Sequence, residues 1–370
     1  MNVSYPDMQT TADVNSHVHD EPDRKDFSSP DYNYTFCKKT GYFERWGRTR
    51  DDDPDYAPAP EILDLEISVN GCPKIAGESC RFCYKGNTAG EPTNMSFDTF
   101  REIFDKMSTA LTQIAFGITG VQTNPDFLRM MHYTRERGVI PNFTLSGADL
   151  TDRLAEECAE VVGALAVSAY ERDRDLCYNT VQKFVSLGID QTNIHLLVSK
   201  ETMPFVMQVV RDRLKDPRLQ EMGSIVFLGV KPKGRARDNF HPITKEGYKV
   251  LVGLCLAAGI RFGFDSCSEP KYEHAVKSFP FPDNAKRMLI ECAESCESSL
   301  MSSYISCDSK YWHCSFAENE DGQRCVDVLD AEDFVRDVWN SPEVVEFRER
   351  SVESGVGGCR YCTVFPEINV

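Results

Sequence analysis

The chain contains no run of ~18 apolar residues, so no segment reads as a membrane span. Its N-terminus has no basic stretch followed by an apolar core, so no secretory signal is expected. Positive charge is scarce: 41 Lys and Arg against 58 Asp and Glu leave a formal charge of −17. An acidic surface repels phosphate, which argues against nucleic acid as a partner, although a local basic groove is not excluded. What the chain has in plenty is cysteine, fifteen in 370 residues. With nothing to indicate export, disulfides are a poor explanation, and metal sites in a reducing cytoplasm fit better. The length and the 41% hydrophobic content suit one large domain plus a smaller one.

Residues 1–60 differ from the rest. They carry Asp51-Asp52-Asp53-Pro54-Asp55 and Ala57-Pro58-Ala59-Pro60 with few aliphatics. They read as a polar, loosely packed arm whose aromatic stretch Tyr32 to Trp46 could rest on the main body. From Leu63 onward, short apolar runs alternate with amphipathic segments. Strands are expected over 63–69, 113–119, 141–146, 164–169, 193–199, 224–230 and 261–265. Helices are expected over 97–111, 124–137, 149–161, 172–187, 202–214 and 244–258. Ser96 is a candidate N-cap, and Gly138 and Gly188 are candidate C-cap glycines. Such alternation predicts a parallel α/β sheet with right-handed crossovers. The strands read as apolar nearly throughout, as when both faces are covered. Six or seven units are too few for a closed eight-fold barrel, so a partial (β/α)6-type TIM barrel is expected over residues 61–266. Ligands in such folds sit at the C-terminal ends of the strands. Residues 267–370 read as a small cysteine-rich domain, with one helix expected over 331–339.

The loop after the first of these strands reads Cys72-Pro-Lys-Ile-Ala-Gly-Glu-Ser-Cys80-Arg-Phe-Cys83-Tyr84. Three thiolates on one loop can hold three irons of a 4Fe–4S cube and leave the fourth iron open to a small molecule. Zinc, the alternative, takes four closed ligands, and no fourth Cys or His is near in sequence.

The three-cysteine loop, the aromatic Phe82 before its last cysteine and the partial-barrel pattern together resemble the radical S-adenosylmethionine (radical SAM) superfamily. The resemblance covers roughly residues 62–266. The first cysteine gap is seven residues, where three is usual. The resemblance implies that Cys72, Cys80 and Cys83 hold a 4Fe–4S cluster whose open iron chelates S-adenosylmethionine. One-electron reduction would then give a 5′-deoxyadenosyl radical that abstracts hydrogen from a substrate. It also implies contacts to S-adenosylmethionine. The second strand carries Phe116-Gly117-Ile118-Thr119-Gly120 and then Asn124-Pro125-Asp126-Phe127 in place of the family's Gly-Gly-Glu-Pro-like segment, which makes Gly117, Thr119 and Gly120 candidates. Tyr84 beside the last loop cysteine and Ser168 and Ser199 at strand ends are candidates too, as is Lys231 in the basic run Lys231-Pro-Lys-Gly-Arg235. For each there is a plainer reading: a helix cap, a strand end or a solvated loop.

The C-terminal region holds Cys296, Cys314 and the pair Cys359-Arg-Tyr-Cys362. A hairpin turned at Asp308–Lys310 would deliver Cys314. This part resembles the twitch and SPASM extensions of radical SAM enzymes, which bind auxiliary Fe–S clusters. The spacing favours one second 4Fe–4S cluster, because the dense middle run of a two-cluster extension is missing. Cys267, Cys292 and Cys325 remain alternative ligands, and zinc suits four thiolates equally well. Cys37, Cys158, Cys177, Cys255 and Cys307 read as buried hydrophobes.

The expected function is therefore that of a radical SAM enzyme carrying out an oxidative modification, with a one-electron reductant such as flavodoxin or ferredoxin as partner. The substrate is a small molecule or a peptide. Residues 1–60 lack the helical periodicity of a leader-binding winged helix, which tilts the reading toward a small molecule. A peptide maturase and a non-catalytic Fe–S or zinc-binding protein are the alternatives.

Overall fold

The computed structural model describes residues 16–354 and 361–369. Its centre is a ten-stranded sheet. Seven parallel strands follow one another in chain order: Ile62–Glu66, Gln113–Gly117, Ile140–Leu145, Leu165–Ser168, Thr192–Val198, Ile225–Gly229 and Phe262–Phe264. Helices Phe97–Asp105, Phe127–Glu136, Asp152–Ala159, Arg174–Ser186, Met203–Arg213 and Lys245–Ala257 alternate with them. Each expected strand and helix of the barrel is present, trimmed by a few residues at its ends.

The helix ends have local causes. The Ser96 hydroxyl accepts from the Thr99 N–H at 3.1 Å, and Thr151 and Thr244 do the same for Leu154 and Gly247, both at 3.2 Å. Gly138 and Gly188 close two helices at φ +74° and +86°, a conformation that costs a side chain free energy.

Along the barrel strands, residues alternate. Leu63 and Leu65, Ile114 and Phe116, Phe143 and Leu145, Ile194 and Leu196 are buried with the helices in one core. The other face carries Asp64, Asn142, Thr144, Ser168, Asn193 and His195, all at least partly accessible. The expectation of strands apolar on both faces therefore does not hold. An open barrel has a lumen, and polar side chains line it.

Residues 17–46 are not a loose arm. They form an antiparallel sheet of four strands, His17–Asp20, Arg24–Ser28, Asn33–Cys37 and Phe43–Trp46. Alternate residues Phe27, Tyr34 and Phe36 are buried with Ala110, Ile140, Leu300 and Met301. Each buried ring contributes about 1.5–3 kcal/mol. The Lys25 ammonium, buried, donates to the Leu111 and Thr109 carbonyls at 2.8 and 3.2 Å, and Tyr34 donates to the Ala110 carbonyl. These carbonyls precede the second barrel strand, so the sheet covers the barrel's N-terminal end, away from the cysteine loop. Residues 1–15 lie outside the described residues.

Beyond residue 267 the chain is more helical than expected, with Glu269–Ser278, Asp283–Glu291 and Pro342–Glu353, whereas the helix expected over 331–339 is a single π-helical turn, Val335–Trp339. The expected hairpin is present as Ser302–Ile305 and Lys310–Trp312, turned through Ser309 at φ +66°. It continues the barrel sheet, because Ser302–Ile305 pairs in parallel with the first barrel strand. No helix among the described residues is long and apolar enough to cross a membrane.

Arg45 ties the three regions together. It bridges Glu61 at 2.9 Å, Glu297 at 2.8 Å and Glu294 at 2.9 Å, and the Tyr32 hydroxyl donates to the same buried Glu61. Removing one partner of a buried ion pair leaves an uncompensated charge. Arg45→Met should cost about 3–5 kcal/mol in denaturant unfolding. Adding Glu61→Gln should recover part of that loss, because the orphaned charge is gone.

Candidate metal and cofactor site

The first barrel strand ends at Glu66, and the cysteine loop leaves its C-terminal end. The long gap between Cys72 and Cys80 is a small hairpin. The Ile75 N–H donates to the Glu78 carbonyl at 2.9 Å, and Glu78 returns the bond at 3.1 Å. Ala76 and Gly77 between them have φ +48° and +81°, the pattern of a type I′ turn. The extra residues therefore close on themselves, and the chain returns to bring Cys80 and Cys83 beside Cys72.

The three thiols sense one another. Burial pushes Cys72 up to about 11, and the neighbouring Cys83 adds to it. Burial likewise lifts Cys80 to about 11, again with Cys83 contributing. Cys72 and Cys80 are thus poor free nucleophiles at neutral pH and become thiolates by giving their protons up to a metal. Among the described residues, no three His, Cys, Asp or Glu side chains gather closely enough to hold a single ion. A cube needs a wider spread, since each cysteine takes its own iron, whereas zinc draws all its thiolates onto one ion. Three neighbouring thiols on a loop at the strand ends fit the cluster.

Two arginines grip the loop. Arg172 donates to the Glu78 and Ser79 carbonyls at 3.3 and 3.0 Å and pairs with the Glu78 carboxylate at 3.0 Å. Arg235 donates to the carbonyls of Cys80, Gly86 and Asn87 at 2.8, 2.9 and 2.8 Å. Beside the loop lies a cavity of about 240 Å³. Phe82, Tyr170, Leu196, Phe240 and Glu201 are among its walls. Phe82 stacks on Tyr170 at 5.8 Å and meets Phe240 edge-on at 5.8 Å. Of these wall residues only Phe82 carried a sequence signal. Tyr170 and Phe240 are single aromatics in loops, without periodicity to mark them.

The other candidate contacts are placed as follows. Gly117 packs on the backbone of Glu66, where a Cβ would meet the Glu66 Cα at 3.2 Å, and its carbonyl accepts from the Ile67 N–H at 2.9 Å. Thr119 donates its N–H to the Ser68 hydroxyl at 2.9 Å. Gly120 lies under Pro73, where a Cβ would meet the proline ring at 3.0 Å and the Asp149 carboxylate at 2.5 Å. This motif therefore forms the floor of the cysteine loop. Ser168 ends its strand beside Tyr170, within reach of the cavity. Three candidates are already committed within the fold. Ser199 is buried, and its hydroxyl accepts from the Thr202 N–H at 3.1 Å, so it caps a helix. Tyr84 turns away from the cavity and packs on Phe316 at 4.6 Å. Lys231 is buried and pairs with Asp265, its ammonium held by that carboxylate against the opposing pull of burial. The basic run is thus a clasp inside the protein and not an open anion grip.

In the C-terminal region, Cys296, Cys314 and Cys362 come together with Cys267. Burial lifts the Cys314 thiol to about 12, with Cys296 and Cys362 adding to it. Cys267 is raised by burial too, with Lys231 opposing and Asp265, Cys296 and Cys362 reinforcing. Cys359 lies outside the described residues. Cys292 and Cys325 are exposed, and Cys158, Cys177 and Cys255 are buried in the core. His313, next to Cys314, is buried and stacks on Phe347 at 3.9 Å. Between the two cysteine sets, Lys85 joins Tyr304 at 2.7 Å, Glu66 at 3.1 Å and Glu318.

No family model and no curated protein matches this chain. Solved structures do. Streptococcus suis SuiB superposes with a TM-score of 0.62 at 9% identity, over 95% of this chain and 99% of that one. A structure of SuiB bound to S-adenosylmethionine gives 0.55 at 12%, over 85% and 70%. The enzyme anSMEcpe, with bound AdoMet and a Cp18Cys peptide, gives 0.56 at 13%, over 78% and 82%. At these identities the likeness is one of fold: the chain shares the partial-barrel architecture of SuiB and anSMEcpe.

Two tests follow from this geometry. Ala76 sits where Asn is favoured before Gly, so Ala76→Asn should slow hydrogen exchange in residues 72–80, while Ala76→Val should destabilise the turn by about 1–2 kcal/mol. Asp64 is open to the lumen, where desolvation by the surrounding barrel walls lifts its carboxyl from 3.8 to about 6. The folded form therefore holds the proton more tightly, and stability from this group is lost as pH rises through about 6. Asp64→Asn should raise the melting temperature at pH 8 and lose that advantage near pH 4.

Proposed function

We propose that this protein is a radical SAM enzyme whose S-adenosylmethionine site is the Cys72, Cys80 and Cys83 loop with the adjoining aromatic cavity. One observation carries this reading: three neighbouring thiols stand at the strand ends of a fold shared with structures that hold bound S-adenosylmethionine. Bound there, the cluster and S-adenosylmethionine supply a 5′-deoxyadenosyl radical that takes hydrogen from a substrate.

The chain's own residues set the conditions for that chemistry. Cys72, Cys80 and Cys83 give three ligands and leave one iron position to the cofactor. Phe82, Tyr170 and Phe240 offer flat apolar surface for an adenine, and Glu201 and Ser168 offer polar contacts at its edge. Glu201 is held in place by the His241 ring at 2.7 Å and its N–H at 2.9 Å. The lumen, with Asp64, Thr144 and His195, receives the substrate. His195 is kept neutral by burial, which pulls it down to about 4, and Thr144 lies 3.3 Å from its Nδ1. Cys296, Cys314 and Cys362, with Cys359 or Cys267, would hold an auxiliary 4Fe–4S cluster, which would supply an acceptor for the electron left after an oxidative modification. A flavodoxin- or ferredoxin-type reductant supplies the first electron.

The substrate is a small molecule or a peptide. The peptide reading has one specific support, the peptide bound in anSMEcpe. The N-terminal sheet packs on the barrel end remote from the cysteine loop and so stands outside the site.

Anaerobic reconstitution tests the proposal. Two clusters predict about eight irons per chain, and one predicts about four. Reductant plus S-adenosylmethionine should release 5′-deoxyadenosine. Replacing Cys72, Cys80 and Cys83 by Ala should abolish that release, and its persistence would refute the site. Replacing Cys314 and Cys362 should halve the iron while leaving the cleavage in place.

A further inference from the structure

The run Lys231–Arg235 reads from sequence as a candidate contact to S-adenosylmethionine or as a solvated loop. It is instead turned inward, and its end meets the cysteine loop at the backbone. Gly234 has φ +55°, and a Cβ there would lie 2.5 Å from the Cys83 carbonyl oxygen and 2.3 Å from that of Tyr84. Both the conformation and the space exclude a side chain. The next residue, Arg235, donates its N–H to the Cys83 carbonyl at 3.0 Å. Its guanidinium spans three further carbonyls, those of Cys80, Gly86 and Asn87. One residue thus holds four carbonyls on both sides of Cys83.

Arg235 makes no ion pair with a carboxylate among the described residues, although Arg172 and Arg237, also near the loop, each have one. Its charge is left to the thiols around it. Three thiolates on a 4Fe–4S cube give the assembly a net negative charge, and an unneutralised guanidinium is its match. A lysine could not copy this arrangement, because a compact ammonium cannot span three carbonyls set around a planar fork.

We propose that Arg235, seated by Gly234, is the positioning residue that holds the three-cysteine loop in its cluster-binding shape. The role rests on reading Cys72, Cys80 and Cys83 as cluster ligands, so the test separates the two. Full-length Arg235→Met, Arg235→Lys and Gly234→Ala proteins are compared with wild type, and Arg237→Met, which removes an exposed pair with Glu320, serves as the control. Hydrogen exchange on the metal-free proteins reads the loop itself. Exchange across residues 80–88 should speed up about tenfold or more in Arg235→Met and Gly234→Ala, by less in Arg235→Lys, and not at all in the control. After reconstitution, loss of iron to a chelator should accelerate in the same order, and the low-temperature EPR signal of the reduced cluster should broaden or shift. Thermal unfolding of each variant confirms that the rest of the fold is intact, and Arg235→Lys covers the case in which Arg235→Met fails to fold. Wild-type exchange and iron release in both Arg235→Met and Gly234→Ala would overturn the role of Arg235 alone. Failure of the wild-type cysteines to take up iron would overturn the cluster reading and this role with it.

Discussion

The grip of one short loop on backbone carbonyls is the constraint on which the site depends. Beyond the Ile75–Glu78 turn the cysteine loop has no regular secondary structure, so its carbonyls need partners from elsewhere. Arg235 and Arg172 supply them, and the tight hairpin at Ile75–Glu78 removes the slack of the long first gap. The same basic run reaches the C-terminal cysteines. Lys233 donates to the Phe316 carbonyl at 2.9 Å and to that of Glu318, just after Cys314. Lys231 lies 4.8 Å from the Phe316 ring centre and is buried beside Asp265. Five residues thus tie both cysteine sets to the end of one barrel strand. Functional geometry lasts only if its supporting groups are fixed.

The opposite end of the barrel has a matching device. The N-terminal sheet closes the floor with aromatic packing and with Arg45, whose three carboxylate partners come from the barrel entry and from the segment carrying Cys296. Burial raises Glu61 and Glu297, and Arg45 opposes it in both cases. The ion network and the ring cluster make the sheet part of the body. The sheet thus closes the barrel at the end remote from the cysteine loop.

Much of this was legible in the sequence. Apolar periodicity located each barrel strand and helix, and the cysteine spacing singled out the candidate site. Three things were hidden, each for a physical reason. The four N-terminal strands are short, and in them polar residues alternate with aromatics such as Phe27, Tyr34 and Phe36. Beside the acidic and proline-rich run that follows, that pattern reads as a polar arm. The lumen residues Asp64 and His195 are single polar positions within apolar runs, and their facing depends on closure of the sheet. Lys233 and Arg235 look like a surface patch because a linear sequence cannot show that the carbonyls they satisfy lie about 150 residues earlier or 85 later. Composition located the charge, and only the fold gave it a partner.

The central claim is that the three-cysteine loop holds a cluster with one iron left open to S-adenosylmethionine. The most direct measurement is the EPR spectrum of the reconstituted, reduced Cys314→Ala/Cys362→Ala protein, in which only the first site is filled, recorded with and without S-adenosylmethionine. Coordination at the open iron predicts a clear shift of the g-values when the cofactor is added. A cluster signal that stays unchanged at saturating S-adenosylmethionine would contradict the account.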